Sequence, residues 1–525
     1  MSTRKWLILG VGGLILALGM TFLQKVPGYM DAEYYYAGGL RIASNHAATE
    51  PFLWNYLDDP VSLPHPSFSY WMPLPSLLAA IGMKIAGSTS FTAACIFFIF
   101  LCGLIPILTA WLVLEMGGTS RQAVLAGGFG IFSGFYALYT GLTESFTPAM
   151  LLGAGMLLIL SSNWAMWKRG LAAGILAGLM HLNRADGMLW VGAGLLWFFL
   201  EWRRLRPVIS SRQILGAMVL SVLAYFAVMS PWFLRNLQTW GSLMPPGGSR
   251  TLWLTDYNQT FLYPAGQLSF STWWSSGLGN ILQVRLDALW LNLKTLLAVQ
   301  GAVILLPLMF IGLWRLRKNL VVQVGSIMWL LYFLVLTLVF PFSGSRGGFF
   351  HSGTAVQPML WGAAAVGFSA IIDWGCQKRG WRKTRAWQVF SAGLIIILAV
   401  MTGFLAWERT VRTAPGTESW SAGAERYQAV ETWLRSQGGE GSIVMVNNPP
   451  GYYVAGRRAA IVIPLGELDT VLEVARKFGA EYLVLEQNTT PQLKGLYQSP
   501  RTLAGLTYLT TVDGAEIFRF EIKGP

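Results

Sequence analysis

The chain has 525 residues, of which 54% are hydrophobic and only 12% charged, and its mean hydropathy is +0.48. Such a composition excludes a water-soluble globule for most of the length and requires a polytopic α-helical membrane protein. The net charge of +13 sits in short basic clusters between apolar runs, so it marks membrane topology rather than a nucleic-acid-binding face.

At the start, Arg4 and Lys5 precede an apolar run at 6–23 that no small-residue cleavage site follows, so it reads as a retained first span. Further runs near the roughly 20 residues that a helix needs to cross a bilayer lie at 91–114, 121–141, 144–163, 169–183, 187–201, 213–235, 290–314, 320–341, 354–373 and 387–407. That gives eleven spans. A twelfth stretch, 71–86, is broken by Pro73 and Pro75 and is marginal in length. One more crossing would invert every later loop, and the positive-inside rule decides between the two parities. With 71–86 on the outer surface, Arg4/Lys5, Arg121, Lys168/Arg169, Arg203/Arg204/Arg206/Arg212, Arg315/Arg317/Lys318 and Lys378/Arg379/Arg382/Lys383/Arg385 share one side. The sequence therefore predicts a multi-pass cell-membrane protein with a cytoplasmic N-terminus.

A membrane domain is expected over 1–407. Its first extracytoplasmic loop, 24–90, carries surface-lying helices at 31–44 and 66–86, the second with Leu74, Leu77, Leu78, Ile81 and Ile85 on one face. The connection 342–353 reads as an outer loop. From 408 to 525 the composition becomes ordinary, and period-two runs at 442–446, 459–463 and 481–485 alternate with helical patterns at 424–436 and 467–478. Segments 506–511 and 515–522 flank Asp513-Gly514 as a hairpin. This tail is expected to be a small, separate, extracytoplasmic α/β domain. Cys95, Cys102 and Cys376 lie in or beside apolar runs and offer neither a disulfide framework nor a metal spacing.

Polar residues gather where this topology places the outer surface. Asp31 and Glu33, in Asp31-Ala32-Glu33-Tyr34-Tyr35-Tyr36, stand where the chain leaves the first span. A carboxylate there can take a proton from a hydroxyl or hold a divalent cation, while acids at a helix start are also favoured by the helix dipole. Glu144 opens a later span, where an acid beside hydrocarbon is either a functional-site candidate or, with Thr143 before it, part of a helix cap. Arg184 and Asp186 read either as an ion pair fixing a tight turn or as a guanidinium facing phosphate with its partner. Arg235, Arg346 and His351 add outer cations that snorkel to headgroups singly but together suit an anionic ligand. His65, between Pro64 and Pro66, is a donor to phosphate or a turn residue.

In order and common sidedness these stretches resemble the polyprenyl-phosphate-sugar-dependent glycosyltransferases of the C-type (GT-C) membrane fold, the group that includes protein O-mannosyltransferases and lipid A aminoarabinose transferases. Asp31-Ala32-Glu33-Tyr34-Tyr35 matches that family's first-loop acid, and His65-Pro66-Ser67-Phe68-Ser69-Tyr70-Trp71 its His-Pro-rich juxtamembrane start. Gly141-Leu142-Thr143-Glu144 matches its acid at the fourth span. The turn from Gly178 to Gly187, with Arg184 and Asp186, and Pro231-Trp232 followed by Arg235-Asn236 and Gly241, match two further segments. Ala185 stands where relatives often carry proline, and the lysine beside the His-Pro element of the aminoarabinose branch is absent.

The resemblance implies a polyprenyl-phosphate sugar donor bound at the outer face. Asp31, with Glu33, acts as the base toward an acceptor hydroxyl, and Tyr35, His65, Glu144, Arg184, Asp186, Arg235, Arg346 and His351 bind substrate. A Mg or Mn ion, if used, is expected on Asp31 and Glu33, and the acceptor is a protein, lipid or glycan. The rival is a polytopic transporter or lipid flippase with an accessory domain. Such proteins place charges near the midplane, often in two related halves, whereas here the charges cluster at span ends and no internal repeat is visible.

Overall fold

A computed structural model of the chain describes residues 1–205, 208–412 and 418–521. Among these, six helices are long and apolar enough to cross a membrane: Thr3–Leu23, Phe91–Glu115, Ser211–Trp240, Leu320–Val339, Pro341–Arg379 and Lys383–Thr410. The chain is a multi-pass membrane protein. In order come α1 (Thr3–Leu23), α2 (Met30–Ala43), α3 (Leu74–Ala86), α4 (Phe91–Cys102), α5 (Leu104–Glu115), α6 (Ser120–Ile131), α7 (Phe146–Ser161), α8 (Met166–Asn183), α9 (Leu189–Leu205) and α10 (Ser211–Trp240). Arg206, placed by its charge in the basic loop after α9, lies outside the described residues, as does the 522 end of the predicted hairpin.

Several elements differ from the apolar pattern. α6 stops at Ile131 and a short 3-10 turn, Gly134–Leu138, fills the rest of 121–141. The run 290–314 is not one helix: Leu278–Lys294 widens into a π turn at Thr295–Gln300 and restarts at Leu306–Arg315. Between them Ala302 and Val303 take positive φ, a conformation that costs a β-branched residue free energy. The expected loop 342–353 is a chain of helical turns interrupted at Arg346 and Gly347, and it runs directly into the helix Gln357–Arg379. Because Pro73 restricts the residues before it, the helix expected over 66–86 begins only at Leu74, while His65–Pro66 forms a short strand.

On α3 and between α8 and α10, small residues make the closest helix contacts. On α3 the buried face is Ser76, Ala79, Ala80 and Met83, and Leu77, Ile81 and Ile85 point outward. Gly170, Gly174 and Gly178 recur every four residues along α8, and a Cβ at any of them would run into α10 at Ala217, Ser221 or Val228. In lipid, large side chains gain little from burial against one another, so close backbone approach drives association.

The tail is an α/β layer around the sheet order β2-β5-β4-β6-β8-β7. Its strands are β4 (Ile443–Val446), β5 (Ala460–Val462), β6 (Ala480–Leu485), β7 (Leu506–Val512) and β8 (Ala515–Phe520). β4, β5 and β6 are parallel, joined through Pro449–Gly456 and Leu468–Phe478, and β7–β8 is an antiparallel hairpin. The sixth strand is not from the tail. β2 (Phe52–Leu53), in the first loop, pairs in parallel with β5, Phe52 opposite Ala460 and Leu53 opposite Ile461. The sheet edge of the segment 408–525 is therefore completed by a strand from the first loop, which satisfies backbone groups that an open edge leaves unpaired.

Candidate active site

α2 explains how the first-loop acids divide. Successive residues turn by about 100° on a helix, so Asp31 and Tyr35 share a face while Glu33 points nearly the opposite way. Asp31 faces the ends of the membrane helices. Its Oδ2 lies 3.6 Å from His351 Nε2, and His351 Nδ1 lies 3.5 Å from Glu144 Oε1, giving a carboxylate–imidazole–carboxylate row. The row grades from open to sealed, with side-chain exposures of 30% for Asp31, 10% for His351 and 1% for Glu144. Burial, and then the charge of Glu144, push the Asp31 carboxyl up to about 6 against the pull of His351 and Arg184.

Residues that the sequence reading did not single out hold Glu144 and His351 in place. The Ser145 backbone N–H donates to Glu144 Oε1 at 2.5 Å, Ser145 Oγ lies 3.2 Å from His351 Nδ1, and Asn183 Nδ2 donates to the Ser145 carbonyl at 3.0 Å. The Tyr29 hydroxyl donates to Glu144 Oε2 at 3.2 Å. His351 stacks on Phe146, ring centroids 4.2 Å apart. Ser145 follows Glu144 and Tyr29 stands two residues before Asp31, and that proximity was the available signal; Asn183 lies in the turn from Gly178 to Gly187.

Arg184 reaches the same place in an extended conformation that ends α8. Its Nε lies 3.4 Å from Asp186 Oδ1, and Ser352 Oγ donates to Asp186 Oδ2, which ties the arginine turn to the segment carrying His351. Tyr35 lies in the field of Glu144, Arg184, Asp31 and Asp186. Arg346 sits over the ring of Tyr257 at 4.2 Å, and that tyrosine also feels Asp31. The structure thus brings together Asp31, Tyr35, Glu144, Arg184, Asp186 and His351, with Arg346 at the rim.

Three residues stand elsewhere. Glu33 is buried under the tail, where Asn448 Nδ2 donates to its Oε2 at 2.6 Å; burial pushes it up to about 7 despite that bond. His65 lies between Asp58 and Glu50, at 2.9 and 3.9 Å, and its burial, which would lower its pKa, is outweighed by these partners, so it rises to about 9. The register that sets Glu50 opposite His65 comes from β1 (Thr49–Glu50) against β3 (His65–Pro66). Arg235 donates to the Ser67 carbonyl at 2.5 Å and stacks on Trp232 and Trp240, which anchors the first loop.

Among the described residues, the donors that fit one cation are Asp31, Glu144 and His351, whose ligand atoms lie within 4.8 Å of one another. The pair Asp31 and Glu33, two positions apart in sequence, diverges around the helix. Two carboxylates and an imidazole make a hard-to-borderline set that suits Mn better than Mg, which prefers oxygen and water.

No protein-family model and no curated protein matches the chain. Solved structures do match. Archaeal oligosaccharyltransferase AglB from Archaeoglobus fulgidus, in complex with an inhibitory peptide and a dolichol-phosphate, superposes with a TM-score of 0.59 at 14% identity, over 91% of this chain and 69% of that one. The Archaeoglobus fulgidus oligosaccharyltransferase complexed with Zn and sulfate gives 0.56 at 14%, over 90% and 67%. ArnT from Cupriavidus metallidurans bound to undecaprenyl phosphate gives 0.56 at 12%, over 99% and 98%. Identities this low speak to fold, and the fold is that of the GT-C membrane glycosyltransferases.

Proposed function

We propose that this protein is a glycosyltransferase that moves a sugar from a polyprenyl-phosphate donor to an acceptor hydroxyl at the outer face of the membrane. The observation that carries the reading is the meeting of Asp31, Glu144, Arg184 and His351, from four distant parts of the chain, at one partly open edge of a GT-C fold. Structures of that fold hold dolichol-phosphate and undecaprenyl phosphate, which supports a lipid phosphate as the donor's leaving group.

In this reading the acceptor oxygen attacks the anomeric carbon and its proton passes to Asp31 Oδ2. The bond from that carbon to the phosphate oxygen breaks, and its electron pair leaves on polyprenyl phosphate. A carboxyl tuned to about 6 is ionised at neutral pH yet basic enough to accept the proton. Glu144 and His351 fix its orientation. Arg184, held by Asp186, and Arg346 stabilise charge developing on the leaving phosphate. A divalent ion on Asp31, Glu144 and His351 would supply Lewis-acid polarisation at the phosphate, and a neighbouring fold with bound Zn supports keeping it in the test.

The test is incubation of purified protein with a panel of polyprenyl-phosphate sugars and hydroxyl acceptors, scoring release of polyprenyl phosphate with and without chelator. Turnover of at least one donor, lost in Asp31→Asn, is expected. Transport of lipid-linked sugar across vesicles without bond cleavage would replace this reading with the flippase.

A further inference from the structure

The tail and the membrane domain are tied together at the segment that carries Asp31 and at the loop behind it. β2 of the first loop completes the tail's sheet, and Tyr56 beyond it donates to the Val462 carbonyl at 2.5 Å. Asn448 donates to Glu33 on the back of α2. A further tie reaches the site itself. Trp420, at the start of the tail, donates from Nε1 to the Val26 carbonyl at 2.8 Å, and its ring packs against Tyr29, centroids 6.1 Å apart at 73°, and Tyr139, 6.5 Å apart.

Beneath the indole, Gly28 has a φ of +80°, and a Cβ there would collide with the Trp420 ring. Glycine alone lets the indole lie flat on the chain just ahead of α2. Tyr29, clamped between Trp420 and Tyr139, is the residue that donates to Glu144, and it adjoins the first turn of the helix bearing Asp31. An unbroken run of contacts therefore leads from the tail to both acids.

We propose that the tail is a positioning domain of the active site, in which Trp420 acts through Tyr29 to hold Glu144 and the Asp31 end of α2 in register. This deepens the glycosyltransferase reading and rests on it for its kinetic half. An appended acceptor platform would need contacts only with the rim. Here the tail instead pins the chain from which the base projects, and none of its own side chains named above enters the row of acids.

Two measurements on the full-length protein test the proposal. In steady-state transfer, Trp420→Ala is expected to lower kcat roughly 10- to 100-fold with KM for donor and acceptor within about twofold, the cost of misplacing reacting groups by about an ångström. Trp420→Phe keeps the ring against Tyr29 and is expected to recover most of that loss. In hydrogen exchange, Trp420→Ala is expected to release the amides of Met30–Ala43 while those of β4 and β6 keep their protection. A normal kcat with raised acceptor KM would make the tail an acceptor platform and overturn the proposal. Unchanged protection of α2 would overturn it as well. The exchange arm needs no substrate, so it judges the coupling even where the transfer reading fails.

Discussion

Asp31–His351–Glu144 and Asp58–His65–Glu50 are built from the same three kinds of side chain, and they differ in access. In the second cluster all three side chains are at most 4% exposed, and the imidazole is held at 2.9 Å from one acid. In the first the distances are 3.5 and 3.6 Å, and Asp31 stays 30% exposed. A sealed row, with His65 2.9 Å from Asp58 and 3.9 Å from Glu50, stabilises a turn. A row with one open end keeps a carboxylate that still has capacity for a proton. Residue type alone therefore does not separate structure from chemistry; desolvation and the unfilled end do.

The comparison is broken most severely by removing the open acid. Asp31→Asn keeps shape and hydrogen bonding but not basicity, and transfer is expected to fall about 10²- to 10⁴-fold with unchanged thermal unfolding. Glu144→Gln, which removes the charge that lifts Asp31, is expected to move the acid limb of kcat/KM to lower pH. For the intact protein that limb reflects Asp31 itself: the base must be ionised, so activity is present above about pH 6 and lost as pH falls through it.

The sealed cluster has the opposite sign. A histidine raised from its ordinary value to about 9 contributes stability that is full below about pH 6.5 and disappears as pH rises through 9, which a series of melts in detergent would read. The smallest effect is expected at the rim, where Arg346→Ala should cost about tenfold in donor kcat/KM, since its guanidinium is stacked rather than paired.

Much of the open cluster was legible because Glu144, Arg184 and Asp186 lie at the ends of apolar runs and Asp31 beyond the first, and a charge there needs a reason. Asp31, Glu144, Arg184 and Asp186 stood out on that ground. Glu33 shows where such reading stops. Two positions from Asp31, it is carried round the helix toward Asn448, a partner far along the chain that no local pattern indicates. His65 likewise turns on a two-residue strand pairing, Glu50 opposite His65, too short to leave a period-two signal. The tail's helices and strands follow their alternation closely, whereas its sixth strand, Phe52-Leu53, is again two residues paired across the length of the chain. The helical turns at 341–356 were hidden by their glycines, which suggest a loop but here allow the break at Gly347 that turns the segment carrying His351.

The most direct measurement places His351→Gln and His65→Gln side by side, scoring specific transfer activity and thermal unfolding for each. The account predicts that His351→Gln loses activity by about 10²-fold with little change in melting, because it leaves the open acid without its orienter. His65→Gln should lose about 3–5 kcal/mol of stability, the cost of stranding buried carboxylates, while its folded fraction keeps its turnover. The reverse pattern, with His351→Gln unfolding the protein and His65→Gln abolishing chemistry in a well-folded one, would contradict the assignment of the active site to Asp31, Glu144 and His351.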